Sequence, residues 1–448
     1  MRILIIGAGN TGRNLAAKLC DMEHDVVVVD RAAGQLAALD AHLDVMTVLG
    51  HGASPDVLER AELSKADLLV AVTSMDEVNI VACQYAHAAG VSNTVARVAD
   101  PAFERSSLLD FKQLGVDLLI SQNEELSREI HDILRHPGLT ESLELLDGRV
   151  TIAGVRVCET TPLLQGPLEL LRSDPMMSNL RFIAILRGDE LILPRGDTCL
   201  EVGDDLYVAV RPEEVSATLD WMYPARRPLE KIVIAGGGGL GLGLSDRLEE
   251  ERTPVVLIER DEGRAGTCSD TLHKTLVLHG DASDREILTD AGVGANAAFV
   301  AITGDEKLNI ISCILAHRLG AVLTLAQVST VSYVPVIRSL GLLDRVVSSH
   351  QSMVNAILHF VRGRNVRSAA QLHRAAGELI HVAVRKGHRW AGKEVSRLKM
   401  PGDCVLTTVL RGDVIHIPSG DLIIQAGDQL VIFCRTDDVE RVQSTFRS

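Results

Sequence analysis

The chain has 448 residues, 46% of them hydrophobic, and its 45 basic and 60 acidic side chains give a net charge of −15. This hydrophobic content is enough for several cores and excludes a mainly disordered chain. The acidic charge argues against a nucleic-acid partner, because such binding needs a basic face that displaces counterions. No apolar run approaches the roughly 18 residues that cross a membrane, and residues 1–6 are expected to form a buried strand, not a signal peptide.

Buried strands alternate with helices at the start of the chain. Runs rich in Val, Ile and Leu predict parallel strands at Arg2–Ile6, Asp25–Asp30, Val45–Leu49, Leu68–Thr73, Thr94–Val98 and Leu118–Ser121. Together these strands form one complete doubly wound sheet. Helices are predicted at Leu15–Cys20 and from Thr73, with Thr73 as N-cap and Asp76 as the acidic third residue. The matching segment Thr303–Glu306 predicts a full capping box.

A further helix is predicted after the last of these strands. It begins near Ser121 and ends before His136-Pro137-Gly138. Its predicted apolar face consists of Leu126, Ile130, Ile133 and Leu134. A doubly wound sheet does not need this helix. Two interpretations stay open: a crossover helix that packs on a partner, or a covering helix of its own domain.

Short β-like runs follow at residues 149–210. They are broken by turns such as Arg187-Gly188-Asp189, whose later counterpart is Arg411-Gly412-Asp413, and they predict a small α+β domain. A linker rich in Pro and Arg comes next. The same order then returns, with a helix near Ser349–Val361 and a small β-rich domain from about Gly377.

The whole chain is predicted to be a tandem repeat. The pattern G-x-G-x-x-G stands at Gly7–Gly12 and at Gly236–Gly241, an offset of 229 that also carries Asp30 onto Glu259. The fold class is therefore α/β: two tandem Rossmann-like doubly wound parallel-sheet domains, each followed by a small α+β domain. The predicted boundaries are 1–136 and 230–362 for the Rossmann-like domains, 137–218 and 363–448 for the small domains, and 219–229 for the linker.

Each repeat is predicted to bind one dinucleotide. The glycine turn would hold the pyrophosphate at a helix N-terminus, and the later acidic residue would hold the adenosine ribose. The corner after the third strand would face the adenine. A carboxylate at position 30 or 259 repels a 2′-phosphate, so NAD is favoured over NADP. The alternative is that a glycine turn is only a structural link, an interpretation that has more weight for the unusually glycine-rich second turn.

The predicted binding residues of the first site are Gly7, Ala8, Gly9, Asn10, Thr11, Gly12, Arg13, Asp30, Gly52, Ala53, Thr73 and Arg97. Those of the second site are Gly236, Gly238, Gly239, Leu240, Gly241, Glu259, Asp281, Ala282 and Thr303. Asp281 is expected to accept a hydrogen bond from the adenine amino group.

The two predicted sites differ in charge. Arg13 could reach a terminal phosphate, whereas its counterpart Leu242 cannot. Arg97, whose counterpart is Gln327, could add a phosphate contact or form a structural ion pair. Glu124 could help to hold a cation at an interface or could be an ordinary capping carboxylate. The first site is therefore expected to prefer the more highly charged ligand.

No catalytic residue is predicted. The sequence has no G-x-S-x-G elbow, no H-E-x-x-H motif, and no His/Asp pair placed alike in both repeats. The eight cysteines form no C-x-x-C pair, which predicts reduced thiols and no disulfide or metal site. The pattern favours a sensor over an enzyme, with an NAD-dependent oxidoreductase as the alternative.

The chain resembles the TrkA family of bacterial Trk potassium-uptake systems. The resemblance rests on the I-L-I-I-G-A-G-N-T-G-R run with Asp30, the L-L-V-A-V-T-S-M-D-E-V-N-I run, and the duplicated small domain. It implies two RCK (KTN) units, each a Rossmann domain followed by a TrkA-C domain. It also implies that NAD(H), and ATP or ADP at the same sites, regulate the protein.

The same resemblance implies an assembly and a partner. Eight RCK units in a ring would need four chains, hence a homotetramer. The ring would be cytoplasmic and peripheral on the inner face of the cell membrane, beneath a membrane-embedded potassium transporter subunit of the TrkH/TrkG type. A regulator of a cation efflux system shares the fold and stays as a further alternative.

Overall fold

The computed structural model describes residues 1–448 except 101–102, 104–109, 147, 189, 225–228, 252, 331–332, 334–335, 338–340, 364–369, 373–376 and 448. The chain forms two compact units, each assembled from both repeats. Unit 1 comprises Met1–Leu134 and Arg227–Leu358, and unit 2 comprises Arg135–Arg226 and His359–Ser448. Asp189 of the predicted turn and residues 225–228 of the predicted linker lie outside the described residues.

The first sheet of unit 1 is parallel and doubly wound, in the order β3-β2-β1-β4-β5-β6. Its strands are β1 Arg2–Ile6, β2 Asp25–Asp30, β3 Met46–Leu49, β4 Leu68–Ala71, β5 Thr94–Val98 and β6 Leu118–Ser121. The helices are α1 Asn10–Asp21, α2 Ala33–Asp40, α3 Pro55–Arg60, α4 Asp76–Ala88 and α5 Gln122–Arg135, with a 3-10 turn at Leu63–Lys65. The predicted strands are confirmed, although β4 ends before Thr73, whose N–H bonds to the Asn79 side chain.

The first small sheet, in unit 2, is antiparallel in the order β10-β9-β11-β8-β7. Its strands are β7 Leu139–Leu145, β8 Val150–Arg156, β9 Leu180–Arg187, β10 Glu190–Ile192 and β11 Asp205–Val210. Its helices are α6 Val215–Met222 and the 3-10 turns Pro162–Gln165, Leu168–Ser173, Pro175–Ser178 and Pro212–Glu214. Helix α6 extends into the segment 219–229 because Leu219 and Met222 are fully buried.

The second sheet of unit 1 repeats the first, in the order β14-β13-β12-β15-β16-β17. Its strands are β12 Lys231–Ala235, β13 Val255–Glu259, β14 Leu276–His279, β15 Ala297–Ala301, β16 Leu323–Gln327 and β17 Arg345–Val347. Its helices are α7 Gly239–Glu249, α8 Glu262–Thr271, α9 Arg285–Asp290, α10 Glu306–Arg318 and α11 Ser349–Gly363. Strands covered on both faces explain the unbroken Val/Ile/Leu runs of both sheets.

The second small sheet, also in unit 2, has the order β18-β19-β22-β20-β21. Its strands are β18 Ala370–Gln371, β19 Gly377–Ala383, β20 Cys404–Arg411, β21 Val414–His416 and β22 Gln429–Arg435. Helix α12 Val439–Arg447 and the 3-10 turns Val395–Arg397 and Thr436–Asp438 complete it. The two small sheets share a core in which Ile183 and Tyr207 of the first repeat join Leu379 and Phe433 of the second.

The predicted helix starts at Thr73 and Thr303 are wrong. Helix α4 begins at Asp76 after the N-cap Met75. Helix α10 begins at Glu306 after the N-cap Asp305, whose carboxylate accepts from the N–H groups of Lys307 and Leu308. Asp76, the acidic residue predicted to cap α4, instead accepts hydrogen bonds from the N–H of Ala99. It therefore anchors the loop after β5.

The repeated Arg-Gly-Asp turns are structural. Arg411 donates from Nε and Nη2 to both carboxylate oxygens of Asp428, at 2.8 and 2.9 Å, and Arg187 binds Asp204 in the same way. The Asp428 side chain is 1% exposed. In each small sheet the pair joins the last residue of one long strand, β9 or β20, to the residue just before another, β11 or β22. The arginine of the repeated turn therefore has a structural role in both small sheets.

We expect Asp428→Asn to lower the stability of unit 2 by about 2–3 kcal/mol, since it breaks a buried ion pair whose arginine keeps some solvent contact. Burial alone would raise the pKa of Asp428, but the hydrogen bonds from Arg411 and the Gln425 N–H lower it overall. A lowered folded-state pKa stabilises the protein above the unfolded value of about 4 and loses that stabilisation as the pH falls. Hydrogen exchange of the β20 and β22 amides between pH 7 and pH 3, corrected for the intrinsic rate at each pH, measures this, and the exposed Asp413→Asn is the control that should change little.

Candidate functional site

The first glycine turn, residues 7–12, joins β1 to α1 at the carboxyl edge of the first sheet. Gly7 has a φ of +111°, and a Cβ added to Gly12 would lie 1.8 Å from the Gly7 carbonyl oxygen. These positions need glycine for the turn itself. Gly9 differs, because a Cβ there would meet nothing within 4 Å. The turn is therefore open at the residue that a pyrophosphate would approach.

The second glycine turn, residues 236–241, has the same geometry. Gly236 has a φ of +114°, and a Cβ on Gly241 would lie 1.8 Å from the Gly236 carbonyl oxygen. A Cβ on Gly238 would meet nothing within 4 Å. The extra glycine at position 237 is packed, since a Cβ there would lie 2.9 Å from the Cys268 sulfur. The four consecutive glycines thus leave the architecture of the turn unchanged.

The helices that follow these turns begin without a side-chain cap. The N-cap of α1 is Gly9 and that of α7 is Gly238, and neither helix start receives a capping hydrogen bond from a side chain. Helices α2, α3 and α4 also begin without one, whereas Asp261, Asp284 and Asp305 cap α8, α9 and α10 with their carboxylates. First-turn N–H groups that no side chain caps are able to bind an anion. Both glycine turns therefore present an anion-binding helix end.

A carboxylate joins each turn to the end of the second strand. Asp30 Oδ2 accepts from Ala8 N at 2.6 Å and its Oδ1 accepts from Ala32 N at 2.8 Å. Glu259 makes the equivalent bonds to Gly237 N at 2.7 Å and Asp261 N at 2.8 Å, with 7% of the residue exposed. The longer glutamate is therefore more deeply buried than Asp30. Both carboxylates lie where a ribose hydroxyl is held in this fold.

The corner after the third strand is tightly built in both repeats. A Cβ on Gly52 would lie 2.1 Å from Ile6 Cγ2, and the neighbouring Ala53 donates its N–H to His51 Nδ1 at 3.2 Å. The counterpart Asp281 accepts from both the N–H and the hydroxyl of Ser283, and these bonds lower its pKa. Ala282 is 5% exposed. Asp281 is thus an ionised acceptor that is already engaged within its own turn.

A threonine–asparagine network closes the edge beside β4 and β15. Thr73 Oγ1 donates to Asn79 Oδ1 at 2.7 Å, and Asn79 Nδ2 donates to the Arg97 carbonyl at 2.9 Å. Thr303 and Asn309 form the same pair at 2.6 Å. The Thr73 hydroxyl is therefore occupied by Asn79, which is not among the predicted site residues.

Arg97 lies at this same edge. Its Nη1 donates to the Thr73 carbonyl at 3.3 Å, whereas its Nε is buried without a hydrogen-bond partner. Burial lowers the pKa of the guanidinium. Among the described residues its printed contact is with a backbone carbonyl, and the phosphate contact stays a prediction. The guanidinium keeps hydrogen-bonding capacity that a phosphate could use.

The residues after the glycine fingerprints differ as predicted in charge. Arg13 donates from Nη2 to Asn10 Oδ1 at 3.0 Å, so it stays beside the first turn. Its counterpart Leu242 packs against an apolar cluster, and Leu240 is 7% exposed within that cluster. The side chain of Leu240 is therefore part of the core, and only its backbone would be available to a ligand at the second turn.

Helix α5 packs on the sheet of the other repeat, which decides between the two interpretations of this helix. Leu126, Ile130 and Leu134 lie in one buried cluster with strands β12 and β15 and with helix α7. Polar contacts also join the crossover helices α5 and α11, including Gln122 Nε2 to Ser349 Oγ at 2.7 Å. The two Rossmann-like domains of unit 1 are therefore held together by exchanged helices.

Glu124 forms an ion pair across the same interface. Its Oε1 accepts a hydrogen bond from Arg247 Nη2 of helix α7, and Arg128 lies 3.8 Å away along its own helix. The cap at this helix start comes from Ser121, whose Oγ accepts from Glu124 N at 3.3 Å. The carboxylate thus serves the contact between the repeats.

In the parts of the chain that the structure describes, no helix is long and apolar enough to cross a membrane. The same residues contain no cluster of three or more His, Cys, Asp or Glu side chains placed to hold a metal ion.

Comparison with known proteins assigns both halves of each repeat. The TrkA-N domain model matches residues 3–122 and 232–349, and the TrkA-C domain model matches residues 152–223 and 379–447. The chain belongs to the TrkA family. It is accordingly a regulatory subunit and not an enzyme.

Full-length relatives support the same family assignment. The chain is 33% identical to the Trk system potassium uptake protein TrkA of Azorhizobium caulinodans, over 100% of this chain and 99% of that protein. It is also 33% identical to the protein of that name from Halomonas elongata, over 99% and 98% of the two chains. The relationship therefore spans the TrkA-family chain from end to end.

Solved structures show the RCK fold. The structure called the GsuK channel superposes with a TM-score of 0.63 at 22% identity, covering 100% of this chain and 79% of that one. The GsuK channel bound to NAD gives a TM-score of 0.62 at 21% identity over the same shares. At this identity the likeness concerns the fold alone.

One further residue, absent from the predicted set, contacts the first glycine turn of this TrkA-family chain. His350, the second residue of α11, has its Nδ1 3.0 Å from Thr11 Oγ1 in the first glycine turn. The two residues are separated by 339 positions. No local motif signals such a contact, because it depends on the exchange of crossover helices between repeats.

Proposed function

We propose that this protein is the cytoplasmic nucleotide-sensing subunit of a Trk-type potassium uptake system. It binds NAD(H), and ATP or ADP, at the two glycine turns and thereby controls a membrane-embedded potassium transporter. The observation that carries this proposal is the pairing of an open glycine, Gly9 or Gly238, with an uncapped helix start and a strand-end carboxylate. This is the set of groups that a dinucleotide requires.

The residues present fit such a ligand. The N–H groups after Gly9 and Gly238 would bind the phosphates, and Asp30 and Glu259 would accept from ribose hydroxyls. Each carboxylate already accepts two backbone N–H bonds, which hold it in a fixed orientation. A 2′-phosphate would face that negative charge, so NAD is preferred over NADP.

Control of a transporter requires that nucleotide binding favours one arrangement of the protein over another. The exchanged helices connect each glycine turn to the interface between the two Rossmann-like domains. Helix α5 contacts α7, the helix that follows the second glycine turn. His350 makes the corresponding contact at the first turn. A ligand that shifts either turn would therefore change how the two Rossmann-like domains meet.

The names of the relatives support a Trk-type potassium transporter as the partner. Curated relatives over the full length are Trk system potassium uptake proteins, and a channel with this fold has been solved with NAD. We propose that four chains assemble eight RCK units into a ring on the inner face of the cell membrane, beneath a transporter subunit of the TrkH/TrkG type. The predicted domain boundaries and binding residues belong to this proposal.

Co-purification from membranes tests the proposal. The tagged full-length chain is extracted with mild detergent from its own cells, and the membrane proteins that it retains are identified by mass spectrometry. A Trk-type potassium transporter is the expected result, with rubidium uptake that responds to added nucleotide. Retention of a cation efflux protein instead would contradict the proposal, and so would hydride transfer from NADH to a small substrate at a useful rate.

We expect Arg13→Leu to weaken ATP binding at the first site by about tenfold, since it removes one charge-assisted hydrogen bond. NAD⁺ binding should change less because it has no terminal phosphate. Calorimetric titration of the full chain measures both ligands. Lys18→Leu, an exposed change later in the same helix, is the matched control. A wild-type titration in which the site beside Leu242 binds ATP more tightly than the first site would refute the assignment.

A further inference from the structure

The second repeat contributes a side chain to the first nucleotide site. Helix α11 begins at Ser349, and its next residue, His350, is hydrogen-bonded through Nδ1 to the Thr11 hydroxyl at 3.0 Å. Thr11 is in the first turn of α1, among the N–H groups proposed to hold phosphate. The imidazole is half-buried. It therefore lies at the ligand edge of a sheet to which it does not belong in sequence.

Charged side chains surround His350 at this edge of the first sheet. The charge of Arg97 acts on the imidazole, as does the opposing charge of Glu306 on α10. Glu306 is itself engaged by backbone N–H groups of Ser329 and Thr330. Arg97 keeps a buried Nε without a hydrogen-bond partner. Arg97 bonds to the carbonyl of Thr73, whose nitrogen would lie 3.1 Å from a Cβ on Gly7, so two basic groups from different repeats border the first glycine turn.

The second site lacks these groups at every corresponding position. Asn123 is the second residue of α5 and lies next to the second glycine turn, because a Cβ on Gly239 would be 3.7 Å from its Nδ2. It corresponds to His350. Gln327 corresponds to Arg97, and Leu242 to Arg13. The fold therefore provides equivalent positions at both sites, and basic residues occupy them only at the first.

We propose that His350 completes the first site by binding, together with Arg97, the distal phosphate of a nucleoside triphosphate. This inference rests on the proposed function, since it concerns the ligand of that site. The two basic groups lie beyond the pyrophosphate position on the side away from Asp30, where a dinucleotide would place its nicotinamide. The oxidised nicotinamide ring is positively charged and would be repelled there by the Arg97 guanidinium. The first site therefore selects a triphosphate over NAD⁺, and the second site, which has neutral side chains, accepts NAD⁺.

The contact between His350 and the distal phosphate changes the protonation of the imidazole. Burial and the charge of Arg97 lower the pKa of His350, so the imidazole is mostly neutral in the free protein at pH 7. The negative charge of a bound phosphate opposes this and raises the pKa again. With Nδ1 bonded to Thr11, the contact to the phosphate uses Nε2. Triphosphate binding at the first site is therefore coupled to proton uptake by His350.

The test compares His350→Asn with the wild-type chain, both in a Gly238→Ala background that blocks the second site. Asparagine reproduces the residue found at the second site, and its amide can still bond to Thr11. We expect ATP affinity to fall by about tenfold, as for the loss of one charge-assisted hydrogen bond. NAD⁺ affinity should stay the same or rise. Calorimetry in two buffers of different ionisation enthalpy should show that proton uptake on ATP binding is reduced.

The reverse variant keeps the proposal falsifiable if His350→Asn unfolds. Asn123→His, in a Gly9→Ala background that blocks the first site, should gain ATP affinity and proton uptake at the second site. Unchanged ATP affinity and unchanged proton uptake in a folded His350→Asn chain would overturn this inference alone. Absence of any nucleotide binding to the wild-type chain would instead overturn the proposed function.

Discussion

Gly9→Ala is expected to leave the fold intact and to weaken nucleotide binding at the first site by about 10- to 100-fold. The backbone of Gly9, with φ of −67° and ψ of −171°, is one that alanine adopts readily. The added Cβ meets no protein atom within 4 Å, so the free protein has nothing to rearrange. In the complex the same methyl group would occupy the space of the pyrophosphate, and overpacking by one such group costs about 1–3 kcal/mol.

Two further glycine variants make this prediction specific. Gly12→Ala adds a Cβ 1.8 Å from the Gly7 carbonyl oxygen, so it should destabilise the domain as well as abolish binding. Gly34→Ala adds a Cβ that also meets nothing within 4 Å, but on helix α2, and should leave binding unchanged. Thermal melts and calorimetric titrations with NADH and ATP separate these three results. A Gly9→Ala chain that binds both nucleotides normally would refute the location of the phosphates.

The sequence was sufficient to predict the sheets and the glycine turns because these features are local. An unbroken apolar strand such as Ile3–Ile6 requires cover on both faces, and only glycine satisfies the φ of Gly7 and the close approach at Gly12. The duplication added information, because an offset that preserves both the turn and the carboxylate at Asp30 and Glu259 is not expected by chance.

The helix starts and the interface could not be predicted in this way. The pattern Thr73 to Asp76 satisfies the capping rule, but Asp76 bonds to the loop after β5 and Thr73 bonds to Asn79. Those partners become neighbours only once the sheet has formed. His350 shows the same limit more strongly, since its contact with Thr11 requires the exchange of helices between repeats. Sequence periodicity identified the apolar face of α5 but not the sheet that it covers.

Ile130→Ala tests the packing of helix α5 on the sheet of the other repeat. Its effect is expected in the second repeat, which does not contain the mutation. Ile130 is fully buried in the cluster that includes Ile232, Ile234 and Leu244 of the second repeat. Replacing a buried isoleucine by alanine costs about 2–5 kcal/mol through lost transfer energy and a residual cavity. Because the chain has several domains, a single unfolding free energy is not well defined. Hydrogen exchange of individual segments is therefore the suitable measurement.

The expected pattern of exchange follows from the packing. Amides of β12, Lys231–Ala235, should lose protection in Ile130→Ala, whereas those of β1, Arg2–Ile6, should keep most of theirs. Ile133→Ala, on the same helix but only partly buried against the cluster, should produce a smaller change in the same strands. Loss of protection confined to β1 would mean that α5 covers its own sheet. Nucleotide binding at the second site should weaken along with β12, because that strand leads directly into the glycine turn whose helix α7 rests on Ile130 and its neighbours.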